Sequence, residues 1–172
     1  MIMDTLAGLA FSYEAPLKEY MKELPKKRDE AIINIYMYAE ILITGVYSSF
    51  VSLFYLSNSF IKNLFRSDNN NIYFMTGFFA LFIFMGIFNA FNARTTRLNL
   101  LSNIKKNKVF ILVFLCISIV QIYLIYFGGS LFRTYGLTIK ELLVVFILAF
   151  SVVPLDLFRK LLFKKRGVID YI

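Results

Sequence analysis

The sequence predicts an all-α membrane protein: four transmembrane helices preceded by a truncated half helix. Three observations predict it. Hydrophobic residues fill 59% of the 172 positions, mean hydropathy is +0.67, and the apolar residues fall in longer blocks than a soluble domain of this size carries. Four of those blocks reach the roughly 20 residues that a helix needs to cross a bilayer. Basic residues gather on alternate connections between the blocks, the pattern of the positive-inside rule.

The first element is residues 1–13, within "MIMDTLAGLAFSYEAP". A helix of that length spans about 20 Å, short of the ~30 Å hydrocarbon core. There is no basic leader, and Asp4 stands where a signal peptide would be apolar. A carboxylate at mid-membrane costs at least ~2.5 kcal/mol and usually serves an ion or proton path. The stretch therefore reads as the cytosolic half of a longer helix with Asp4 at mid-membrane. An amphipathic leader lying on the membrane surface is the other reading, and the residues leave both open.

The complete spans follow at residues 32–56, 72–93, 109–127 and 142–162. Helices are the only sensible form for them, because a backbone in lipid must satisfy its own hydrogen bonds. Fifteen of the nineteen basic residues fall on one side: Lys18 to Arg28, Arg94 to Lys108, and Arg159 to Arg166. The other side holds only Lys62, Arg66, Arg133 and Lys140, which predicts both chain ends in the cytosol. The net charge of +8 thus follows topology, and nucleic acid is not an expected partner; the bilayer is. The chain has no His and one Cys, Cys116, which removes disulfide frameworks, zinc spacings and Ser–His or Cys–His catalysis.

The polar residues inside or beside the spans are few. Asn89 and Asn92 share one helical face by their spacing, just before Arg94 and Arg97 mark the exit. They are expected to bridge helices or cap carbonyls, and Gln121 to do the same on the third span. Glu40 is expected to face protein or the cytosolic headgroups. Asp156 should pair with Arg159 and Lys160, three and four residues on. Pro154 should kink the fourth span, because it lacks a backbone donor. Gly45, Gly77 and Gly86 are the expected points of close helix approach, and the Phe-rich blocks are expected to face lipid or the core.

The segments "MIMDTLAGLAFSYEAP", "MKELPKKR", "NAFNAR", "QIYLIYFGG" and "PLDLFRK" occur in the order seen at the C-terminal end of P-type calcium-transporting ATPases. The chain resembles that region over essentially its whole length, and most closely the plasma-membrane-type pumps. The resemblance implies the end of membrane helix six followed by helices seven to ten. In the family, helix six carries an Asn, three further residues and an ion-liganding Asp. Asp4 matches that Asp, and the matching Asn would fall one position before Met1. Glu14, Pro16, Met21, Pro25 and Lys26 to Arg28 match the loop that follows. Asn89 and Asn92 match an Asn pair on helix eight and are the weaker metal candidates. Where two-calcium pumps place a Glu three residues before that pair, this chain has Gly86, so the resemblance implies a one-calcium parent.

By that resemblance the chain is a membrane-anchoring and support segment in the plasma membrane. It would be inactive as an ATPase alone, with no catalytic residue and no cofactor of its own. The Asp-Lys-Thr-Gly phosphorylation motif is not among its residues. Calcium, and ATP with magnesium, would belong to the parent pump, whose remaining N-terminal part is the implied partner. One carboxylate, Asp4, is an incomplete site for an ion that takes six to eight oxygens. Two alternatives stay open: a standalone four-helix assembly or regulatory partner, and a small oligomeric channel lined by Glu40, Asn89 and Gln121.

Overall fold

The computed structural model describes residues 2–15, 33, 35–67, 70–102 and 104–165, with the backbone alone for residues 2–4. The basic cluster Lys18 to Arg28, with Pro16, Met21 and Pro25, and the terminal Arg166 lie outside the described residues. Eight α-helices occur among those described: α1 Ile2–Ser12, α2 Ile35–Ser57, α3 Ser59–Asn63, α4 Ile72–Ala93, α5 Lys108–Phe127, α6 Gly129–Phe132, α7 Ile139–Phe150 and α8 Val152–Lys165. A 3-10 turn, Ile104–Lys106, precedes α5.

Four helical stretches are long and apolar enough to cross a membrane: α2, α4, α5, and α7 with α8 as one run of 27 residues. The protein is all-α and integral to the membrane. That last run is broken at Ser151, three residues before Pro154. Pro154 cannot donate to the Phe150 carbonyl, and its ring crowds that oxygen. Ser151 absorbs the fault: its N–H and its hydroxyl both donate to the Leu148 carbonyl, at 3.3 and 2.6 Å. The run also starts three residues before the predicted boundary. Thr138 caps it, the Thr138 hydroxyl accepting from the Glu141 N–H while the Glu141 carboxylate accepts from the Thr138 N–H.

Helix α4 is the central strut. Half of its apolar stretch is buried, against 17% for α2, and it packs on α2, α5, α7 and α8. Its Phe side chains form an edge-to-face ladder with α7: Phe84 and Phe88 against Phe146, and Phe88 against Phe150, with ring centres 5.1–5.6 Å apart. Tyr55 of α2 stacks on Phe74 at 4.6 Å, and its hydroxyl donates to the Phe74 carbonyl at 2.9 Å. Gly77 makes this possible, since a Cβ there would meet the Tyr55 hydroxyl and lie 2.6 Å from the Phe65 ring. Gly45, expected to play the same part, faces open space. Outward, α2 and α5 carry Ile41, Val46, Phe50, Leu53, Leu112, Leu115 and Ile119, all exposed. In water such faces would be untenable; against lipid tails they are ordinary.

Candidate functional site

Polar bonds between helices fix which ends lie together. Glu14, just after α1, meets Arg94, just after α4, and Asn107, just before α5. Near the same end, α2 begins and α8 finishes, because Arg159 and Lys160 of α8 bond to Tyr36 and Asn92. At the opposite end Arg66, after α3, bonds to Glu141 at the start of α7.

The largest polar group lies among α2, α4 and α8. Asp156 is fully buried, with Arg159 one turn on and Lys160 beside it. Arg159 Nη2 lies 2.6 Å from Asp156 Oδ1 and 3.4 Å from Glu40 Oε2. It also donates to the Tyr36 hydroxyl at 3.1 Å, with the guanidinium 4.3 Å above the Tyr36 ring. Lys160 Nζ sits 2.8 Å from Asp156 Oδ2 and donates to the Asn92 carbonyl, also at 2.8 Å. The Asn92 amide donates to the Val152 carbonyl at 3.3 Å. Two cations and two carboxylates neutralise one another, which is the form in which buried charge is tolerated. The expected pairing of Asp156 is present; its total burial, and its link through Arg159 to Glu40, are not visible from spacing.

Two further clasps hold the ends of the bundle. Glu141 accepts from the Arg66 backbone N–H at 2.8 Å, from Nε at 3.1 Å and from Nη2 at 3.1 Å. Arg66 also donates to the Gly136 carbonyl and lies 3.9 Å over the Tyr73 ring. The Glu141 hydrogen bond pushes the Arg66 guanidinium above its ordinary pKa. At the other end Arg94 Nη1 lies 2.8 Å from Glu14 Oε1, while its Nη2 donates to the Leu100 and Ser102 carbonyls. Arg94, Arg159 and Lys160 are all buried, at 7%, 2% and 0% exposure, and serve as internal ties. Among the described residues, Lys105, Lys106, Lys108, Lys164 and Lys165 are the exposed lysines of that end.

The metal candidates stand as follows. Asp4 lies on α1, with its side chain outside those described. Asn89 and Asn92 lie on α4, each with a buried Oδ1 that has no hydrogen-bond partner among the described residues. Glu40 Oε1 is in the same state. Gln121, expected to bridge helices, is buried, but its Nε2 has no such partner either. Among the described residues no three His, Cys, Asp or Glu side chains converge as a metal site.

The family described as "Cation transporting ATPase, C-terminus" matches residues 1–162. The chain belongs to that family. This cation-transporting ATPase C-terminal chain is 33% identical over 162 residues to "Plasma membrane calcium-transporting ATPase mca-1" of Caenorhabditis elegans, covering 88% of this chain and 13% of that protein. It is 31% identical over 165 residues to "Calcium-transporting ATPase 10, plasma membrane-type" of Oryza sativa subsp. japonica, covering 94% of this chain and 16% of that protein. It is 30% identical over 136 residues to "Calcium-transporting ATPase 2" of Schizosaccharomyces pombe, covering 77% and 10%. The cation-transporting ATPase C-terminal chain thus spans only 10–16% of the length of these relatives.

Proposed function

We propose that this chain is the C-terminal membrane-anchoring and support segment of a calcium-transporting P-type ATPase, and that it hydrolyses no ATP alone. The observation that carries the reading is the pairing of buried charge between helices. Glu40, Asp156, Arg159 and Lys160 tie α2, α4 and α8 to one another, and Glu141 with Arg66 ties the opposite end. Charges satisfied by fixed partners brace a bundle; they are not free to bind and release a transported ion.

Asp4 on α1 supplies one carboxylate to the calcium site of the pump, and other helices of the pump supply the remaining oxygens. Residues of the pump beyond this chain bind ATP and magnesium. The chain sits in the plasma membrane with the Arg94 end of the bundle in the cytosol, where exposed Lys105, Lys106 and Lys108 meet anionic headgroups.

The test is replacement. This chain is substituted for the corresponding stretch of a plasma-membrane-type calcium ATPase and expressed in membranes. Calcium-dependent phosphoenzyme is expected from the chimera and not from the 172 residues alone. A chimera that inserts and folds but forms no phosphoenzyme, or phosphoenzyme from the chain by itself, would overturn the reading.

A further inference from the structure

We infer that Glu14, Arg94 and Asn107 are positioning residues that set the pose of α1, the helix that bears Asp4. The inference rests on the support reading above for its consequence, but its geometry stands on its own. Helix α1 packs chiefly on α5, with Phe11 against Phe110 at 5.9 Å between ring centres. Apolar contacts of that kind let a short helix slide and rotate. The polar clasp at its end removes that freedom.

Asn107 is the pivot, at 1% exposure. Its Oδ1 accepts from the Phe110 N–H at 2.8 Å and so caps α5. Its Nδ2 donates to the Ala10 carbonyl of α1 at 3.0 Å and to Glu14 Oε2 at 2.8 Å. One side chain thus joins the last turn of α1, Glu14 two residues past its end, and the first turn of α5. The second oxygen of Glu14 takes Arg94 at 2.8 Å. Arg94 cannot swing to another anion: its side chain has no exposure, its Nη2 is held by two carbonyls, and its guanidinium lies 5.5 Å over the Phe110 ring. The anchor is rigid on the bundle side, so Glu14 transfers the position of the α4–α5 corner to α1. Calcium ligation depends on oxygens held at 2.3–2.6 Å. A helix released by a fraction of an ångström to a few ångströms therefore loses affinity before it loses fold.

The variant to make is Glu14→Gln, which keeps an acceptor for Asn107 and removes the charge that holds Arg94. In the chimeric pump the expected result is a rise of about tenfold in the calcium concentration that half-saturates phosphoenzyme formation. Phosphorylation by inorganic phosphate without calcium should be unchanged, because that step does not require the cation site to be filled. An unaltered calcium dependence, or a parallel fall in both reactions, would overturn the positioning role. A second measurement needs no pump. Spin labels at Gly8→Cys on α1 and Ile119→Cys on α5, with Cys116→Ser, are placed on the chain in nanodiscs; positions 8, 116 and 119 are all exposed. One narrow distance distribution is expected, which broadens with Glu14→Gln; an identical distribution in both would overturn the clasp. If the unsubstituted chimera forms no phosphoenzyme, the support reading falls, and the labels alone decide whether Glu14 fixes α1.

Discussion

Asp156→Ala is expected to destabilise the bundle by about 3–5 kcal/mol, the largest effect of any single substitution considered. The residue is fully buried and neutralises two buried cations, Arg159 and Lys160, at 2.6 and 2.8 Å. Among the described residues, removing it leaves Lys160 with the Asn92 carbonyl, and Arg159 with Glu40 and Tyr36. The measurement is reversible unfolding of the chain in mixed micelles, followed by helical circular dichroism. The double variant Asp156→Leu with Lys160→Met sharpens it. Arg159 keeps Glu40, no ammonium is stranded, and the loss should shrink to about 1 kcal/mol or vanish, since buried ion pairs are often replaceable by apolar residues of similar volume. A double variant as damaged as the single would mean that packing, and not uncompensated charge, sets the cost.

Glu141→Ala is expected to cost about 3 kcal/mol, by losing charge-assisted bonds to Arg66 and the cap on α7 together. Glu141 is 1% exposed, accepts from Arg66 through backbone and side chain, and closes the capping box with Thr138. Glu141→Gln keeps one acceptor oxygen, for the Arg66 or the Thr138 N–H but not both, and loses the charge, so it should cost less than Glu141→Ala in the same unfolding assay. Equal losses for both variants would mean that the one acceptor Gln retains contributes nothing to the clasp.

The spans were legible because a bilayer imposes length and apolarity on each, and those two properties are carried by composition alone. The break near Pro154 was legible because a missing donor is a local defect. The pairing of Asp156 with its neighbours was legible for the same local reason. What spacing could not give was depth and partnership across helices. Arg94 marks a helix exit in the sequence, yet it is held by Glu14, 80 residues away, and Arg159, expected to pair with Asp156, also reaches Tyr36, 123 residues away. The bond between Glu141 and Arg66, 75 residues apart, has no signature in spacing, because each stands among ordinary loop and cap residues. One signal was available: Glu141 three residues after Thr138 is a capping-box spacing, which places the carboxylate at a helix start. Gly45, by contrast, faces open space, since a small residue permits close approach without requiring it.

As the proposed support segment, α2, α4 and the α7–α8 run are expected to keep their mutual positions while other parts of the pump move. Spin labels at exposed Val46 of α2 and Phe158 of α8, in the chimeric pump, measure it directly. The same distance is expected with calcium bound and in the calcium-free phosphorylated state. A change of about 5 Å, one helical turn, between the two states would contradict it.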